Sequence, residues 1–128
     1  MTTKTMGQTL GDVLKHEYLP AFCRETVTLL AGTSYKVGHV LAKVTASGKW
    51  TLHNPGASDG TEQTTDLRIC LFDVDATAGD QQAAVLERGP AIVAKTALQF
   101  HANVDTDQKK SAIYAGLATN GIKVADVA

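Results

Sequence analysis

The chain has 128 residues, 44% of them hydrophobic and 20% charged, with a formal net charge of −1. That suits one domain with one modest core, and near-neutrality excludes a surface that draws in nucleic acid or acidic membranes from a distance. Aromatic residues make up only 5%, too few for a stacking platform on single strands, and no apolar run approaches membrane-spanning length.

Residues 1–19 carry Thr2, Thr3, Thr5 and Thr9, two glycines and few large apolar groups. Such a segment buries too little surface to offset the entropy of ordering. It reads as a flexible N-terminal arm, with Pro20 as the hinge into a body over residues 20–128. It lacks the charged start and apolar run of a signal peptide. The body opens with a Val/Thr/Leu strand at 25–30, and Gly32, Thr33, Ser34 and Gly38 punctuate the next turn. Residues 39–45 alternate as a strand: Val40, Ala42 and Val44 share one face, and His39, Leu41, Lys43 and Thr45 the other. Ser47-Gly48 reverses the chain into a second strand at 49–52, which carries Trp50. Residues 54–65 form the longest loop, marked by Pro55-Gly56 and Asp59-Gly60.

Residues 67–74 have apolar groups on both faces and read as a strand buried on two sides. A strand at 83–87 is closed by Gly89-Pro90. Ile92, Ala94, Thr96, Leu98 and Phe100 have strand period, so 91–100 reads as a hairpin-like continuation, although Val93, Ala97 and Phe100 also fit a helix. The clearest helix starts near Asp105, an N-cap with Gln108 three positions on. Asp107 suits the positive helix end. Ile113 and Leu117 face the core, and Asn120-Gly121 is a helix stop. Residues 122–127 form a last short strand. The pattern is a β-rich body with one main C-terminal helix.

Catalytic and metal-binding patterns fail on spacing. Asp73, Asp75 and Thr77 suggest a calcium loop, but the sixth position is Ala78 and the twelfth Ala84, where the loop needs glycine and glutamate. Gly32 to His39 has five residues between its glycines and no Lys-Ser/Thr, so it is not a phosphate loop. His16, His39, His53 and His101 lack zinc-ligand spacing, and Ser34, Ser47, Ser58 and Ser111 lack a nucleophile-elbow context. A carboxylate pair such as Glu25 with Asp73 has nothing in the sequence to single it out. Cys23 and Cys70 read as buried, reduced thiols, consistent with cytoplasmic synthesis. Trp50 is a core or subunit-interface anchor.

The phrases RETVTLLAGTSY, VGHVLAKVTASGKW, NPGASDG, LFDVDATAGD and AAVLERG follow one another in a set order. After them come the segment ending at Leu98-Gln99-Phe100 and a helix ending at Asn120-Gly121-Ile122. Together they resemble the head decoration proteins of tailed bacteriophages, the family of the lambda head protein D. The resemblance runs from about residue 22 to 124.

The resemblance implies a compact α+β body that forms homotrimers. Trimers of this family sit on the outer surface of the expanded capsid at local threefold positions and cement it against packaged DNA. The implied partners are the major capsid protein of the same phage and the chain itself, with no nucleic acid, no membrane, no cofactor, no metal and no catalysis. The arm is expected to add a strand to a sheet of the shell, with Thr2, Thr3, Thr5, Thr9 and Leu10 as the pairing positions. Trp50, Asn54, Pro55 and Asp59 are the expected trimer-interface residues. The alternative reading is a virion-surface module for host glycans or receptors, which predicts exposed aromatic platforms.

Overall fold

The computed structural model describes residues 10–126. In chain order its elements are α1 (Leu10–Val13), β1 (Leu14–Glu17), α2 (Pro20–Cys23), β2 (Arg24–Leu29), β3 (Ser34–Tyr35), β4 (Val40–Lys43), β5 (Trp50–Leu52) and β6 (Leu67–Cys70). Then follow β7 (Val74–Asp75), β8 (Gln81–Leu86), β9 (Ala91–Ala94), a 3₁₀ turn (Lys95–Ala97), α3 (Asp107–Thr119) and β10 (Ile122–Ala125). Five strands close into a barrel in the order β2-β5-β4-β6-β8, a separate sheet runs β1-β9-β10, and β3 pairs with β7.

The barrel wall separates two apolar clusters. Leu29, Tyr35, Leu41, Trp50, Cys70, Ala83 and Val85 fill its inside. Val40, Ala42, Leu67, Ile69 and Leu86 point outward and meet Val93, Ile113, Leu117 and Ile122 from the outer sheet and α3. The strand period of two sends neighbouring residues to different clusters, so both faces expected for β4 are covered.

The strand expected at 67–74 is buried on both sides as far as Cys70 and then breaks. Phe72 is 45% exposed, and Val74 opens β7 beside β3. The diversion follows from new partners: Gly38 N–H donates to the Cys70 carbonyl at 2.8 Å, and Val37 N–H to the Asp73 carboxylate at 2.9 Å.

The segment at 91–100 is also corrected. Only Ala91–Ala94 is a strand, and it leaves the barrel to lie between β1, antiparallel, and β10, parallel. Its partners come from the two far ends of the sequence, which local periodicity does not reveal.

The arm boundary moves as well. Residues 10–17, expected within the flexible arm, form α1 and β1, and Val13 has no exposed surface. Pairing with β9 supplies the burial that the segment lacks alone. Thr2, Thr3, Thr5 and Thr9 lie outside the described residues.

The main helix starts one residue later than expected, with Thr106 as N-cap. Its side chain accepts from Lys109 N–H at 3.2 Å, while Asp105 holds the Lys109 ammonium at 3.0 Å. Ile113 and Leu117 are fully buried, as their spacing predicts. The helix ends at Asn120, followed by Gly121 at φ 82°, a conformation that suits glycine. Gly116 is needed for a different reason. A Cβ there would lie 1.9 Å from the Thr64 carbonyl oxygen.

Alanine is ordinarily the better helix former by about 1 kcal/mol. At position 116 the backbone clash outweighs that gain, so Gly116→Ala should lower stability by about 1–3 kcal/mol. Urea unfolding of the two proteins measures the sign; a stabilised variant would mean that the 64–65 loop moves aside freely.

Candidate interaction surface

The polar residues that looked like chemistry in the sequence are occupied in holding turns. Asp75 accepts from Thr77 N–H at 3.1 Å and from the Thr77 hydroxyl at 2.6 Å, and these bonds hold its carboxyl below the usual range. Asp80 faces Lys49 at 2.5 Å and accepts from Ala31 N–H at 2.8 Å; the lysine, then the amide, lower its pKa. Among the described residues no group of three or more His, Cys, Asp or Glu side chains is placed to hold a metal ion.

Of the cysteines and histidines, both thiols are buried and two imidazoles are held by backbone amides. Cys23 and Cys70 are both free and buried. Burial pushes the Cys70 thiol up to about 11, and it donates to the Phe72 carbonyl, so it is no thiolate nucleophile at neutral pH. His39 Nδ1 accepts from Lys36 N–H and His101 Nδ1 from Asn103 N–H, both at 2.9 Å. His16 is exposed on β1. His53 is 2% exposed, and its Nδ1 has no hydrogen-bond partner. Burial holds the pKa of both His39 and His53 below the ordinary histidine value.

The strongest charge cluster is at the barrel itself. Arg68 is 8% exposed on a wall strand. Its guanidinium bonds Glu25 and Asp66, each at 2.5 Å, approaches Glu87 at 3.8 Å, and lies 4.6 Å from the centre of the Trp50 ring. A buried arginine needs such partners to offset lost hydration. Glu25 is therefore an ion-pair partner, and Asp73 serves the Val37 amide; they do not act together as a carboxylate pair.

The expected contact residues fall in three places. Trp50 is 5% exposed and belongs to the barrel interior, which leaves it little surface for a neighbour. The 54–60 loop is tied to the body: Asn54 Oδ1 accepts from Gly56 N–H at 3.0 Å and from Asn103 Nδ2 at 2.8 Å, and Thr45 N–H donates to the Asp59 carbonyl at 2.9 Å. Asp59 is exposed, and Pro55 is half-buried. Leu10, expected to pair with a shell strand, begins α1 and packs against the larger cluster.

Two features escaped the sequence reading. Tyr18, Leu19 and Phe22 form an exposed apolar patch, concealed by its position at an expected hinge. The outer sheet also has open edges at β1 and β10 among the described residues. What the surface offers is loops, edges and an aromatic patch.

The family model for the bacteriophage lambda head decoration protein D matches residues 3–122. The chain belongs to that family. No curated protein matches it. The family is structural rather than enzymatic, and it places the chain at the phage capsid. The matched span takes in most of the threonine-rich N-terminal segment and ends as β10 begins.

The lowered pKa values of His39 and His53 give a testable pH dependence. A folded-state pKa below the unfolded value near ~6.5 means that the unfolded chain binds protons first. The stability is therefore full above about pH 6.5 and is lost as pH falls below it. Thermal unfolding should show a lower midpoint at about pH 5.5 than at 7.5, with a smaller drop in His53→Asn. Equal midpoints in the wild type would contradict the assignment.

Proposed function

We propose that this protein is a capsid cement: it binds the outside of the expanded head as trimers at local threefold positions and stabilises the shell against the pressure of packaged DNA. The observation that carries the reading is the family match over residues 3–122. It is supported by a body whose buried Arg68 is paired within the fold and whose exposed features are suited to contact.

The physical scheme needs no reaction. Residues 2–9 add a strand to a sheet of the shell, with Thr2, Thr3, Thr5 and Thr9 favouring extended backbone and main-chain hydrogen bonds supplying the affinity. Leu10, packed on the core, is where this segment meets the rigid body. One such segment, held mainly by a few main-chain hydrogen bonds, binds weakly. Three on one trimer make later contacts intramolecular and raise avidity by about 10²–10⁴. A protein that binds only the expanded shell stabilises that shell by mass action. Neighbouring copies meet through the 54–60 loop, where Asn54 braces the turn, Pro55 is half-buried and Asp59 is exposed. Trp50, sealed in the barrel, is left out of that contact.

Co-sedimentation with heads of the same phage tests the reading. The protein should pellet with expanded heads and not with unexpanded ones. Deleting residues 2–9 should abolish pelleting while the unfolding midpoint stays unchanged; normal binding by the truncated protein would remove the arm from the scheme. The deletion stops at 9 because Val13 and β1 belong to the folded body.

Self-association is tested separately by light scattering at capsid-assembly concentrations. A trimer mass is expected, and Asp59→Arg should reduce it. A stable monomer in the wild type would rule out the threefold cap.

A further inference from the structure

Four large apolar side chains are exposed among the described residues, and three of them, Tyr18 at 62%, Leu19 at 52% and Phe22 at 48%, lie within a single short stretch. Together they expose on the order of 300 Å², the size of a functional patch on a monomer.

The stretch is fixed in place. Tyr18 N–H donates to the Pro90 carbonyl at 2.9 Å, and Phe22 and Cys23 N–H donate to the Leu19 carbonyl at 2.9 and 2.8 Å. Cys23 anchors α2 with no exposed surface. The Tyr18 and Phe22 rings meet edge to face with centroids 6.4 Å apart, and the Arg88 guanidinium sits 5.0 Å from the Phe22 ring centre. Held aromatics beside an arginine are the composition of a binding hot spot, and prior ordering lowers the entropy lost on binding.

We propose that Tyr18, Leu19 and Phe22 form a second contact with the shell protein, taking apolar side chains from the same region that receives residues 2–9. This rests on the decoration reading above. The occupant follows from where those residues join the body. Only α1 and β1 lie between Leu10 and the patch, and a four-residue strand spans about 13 Å. A groove of about 290 Å³ beside Leu10 is lined also by Leu14, His16, Glu17 and Arg24, the last two bracketing the patch in sequence. A shell protein holding the N-terminal segment is thereby tethered beside the patch, so the second contact forms at high effective concentration.

The test compares the full-length wild type with the Leu19→Ser, Phe22→Ser double variant on expanded heads of the same phage that lack the decoration protein. The variant should bind about tenfold or more weakly, with unchanged mass in solution. Unchanged binding overturns the proposal. A lower mass for the variant also overturns it, because the patch would then lie between copies. If the wild type itself fails to bind, the decoration reading falls and this inference falls with it. Oxidative footprinting of the wild type gives a readout that does not depend on the variant folding. Tyr18 and Phe22 should be protected on heads relative to free protein, and equal oxidation in both states would overturn the contact.

Discussion

The barrel wall is apolar on both faces, and the rest of the structure depends on that constraint. β4 sends Leu41 inward and Val40 and Ala42 outward; β6 sends Cys70 inward and Leu67 and Ile69 outward. A small five-stranded barrel has room inside for few side chains. The outward face must therefore be covered by a second layer, which α3 and the β1-β9-β10 sheet supply. Each Val, Leu or Ile side chain buried this way contributes about 1.5–3 kcal/mol relative to exposure.

A wall that is apolar on both sides gives little guidance on register, because a one-residue slip exchanges one apolar face for another. Arg68 resolves this. It lies opposite Leu41 on the inward face, where Glu25 and Trp50 meet it. A slip in β6 would turn the guanidinium into the apolar outer layer without partners, a heavily penalised arrangement.

The same economy governs the surface. Asp59, Asp75 and Asp80 accept from backbone donors at 3.1, 3.1 and 2.8 Å, and these bonds fix the shape of their loops. A body with shaped loops, sheet edges left open among the described residues and one fixed aromatic patch is suited to contact with another protein. A protein that binds one state of its partner favours that state by mass action, and on the proposed reading contact alone does this.

Much of the fold was legible locally. The β-strand at 40–43, the Ser47-Gly48 reversal, the paired burial of Ile113 and Leu117 and the stop at Gly121 all follow from residue period and turn chemistry. The failed spacing tests at Asp73–Asp80 and Gly32–His39 pointed to turns, and the structure places these residues in turns and short connecting strands. The order of phrases along the chain was enough to indicate the family. Local pattern, however, gave no sign that residues 10–17 are folded. Nor did it decide between core and interface for Trp50, or show that β9 leaves its neighbour to join strands from both ends. Each of these rests on contacts between distant parts of the sequence. The sequence by itself determined the β4 strand, the reversal into β5 and the main helix with its stop, because those preferences come from neighbouring residues. Only the tertiary structure decided which strands pair, where the body begins and which aromatics remain exposed, because burial is a property of the assembled fold.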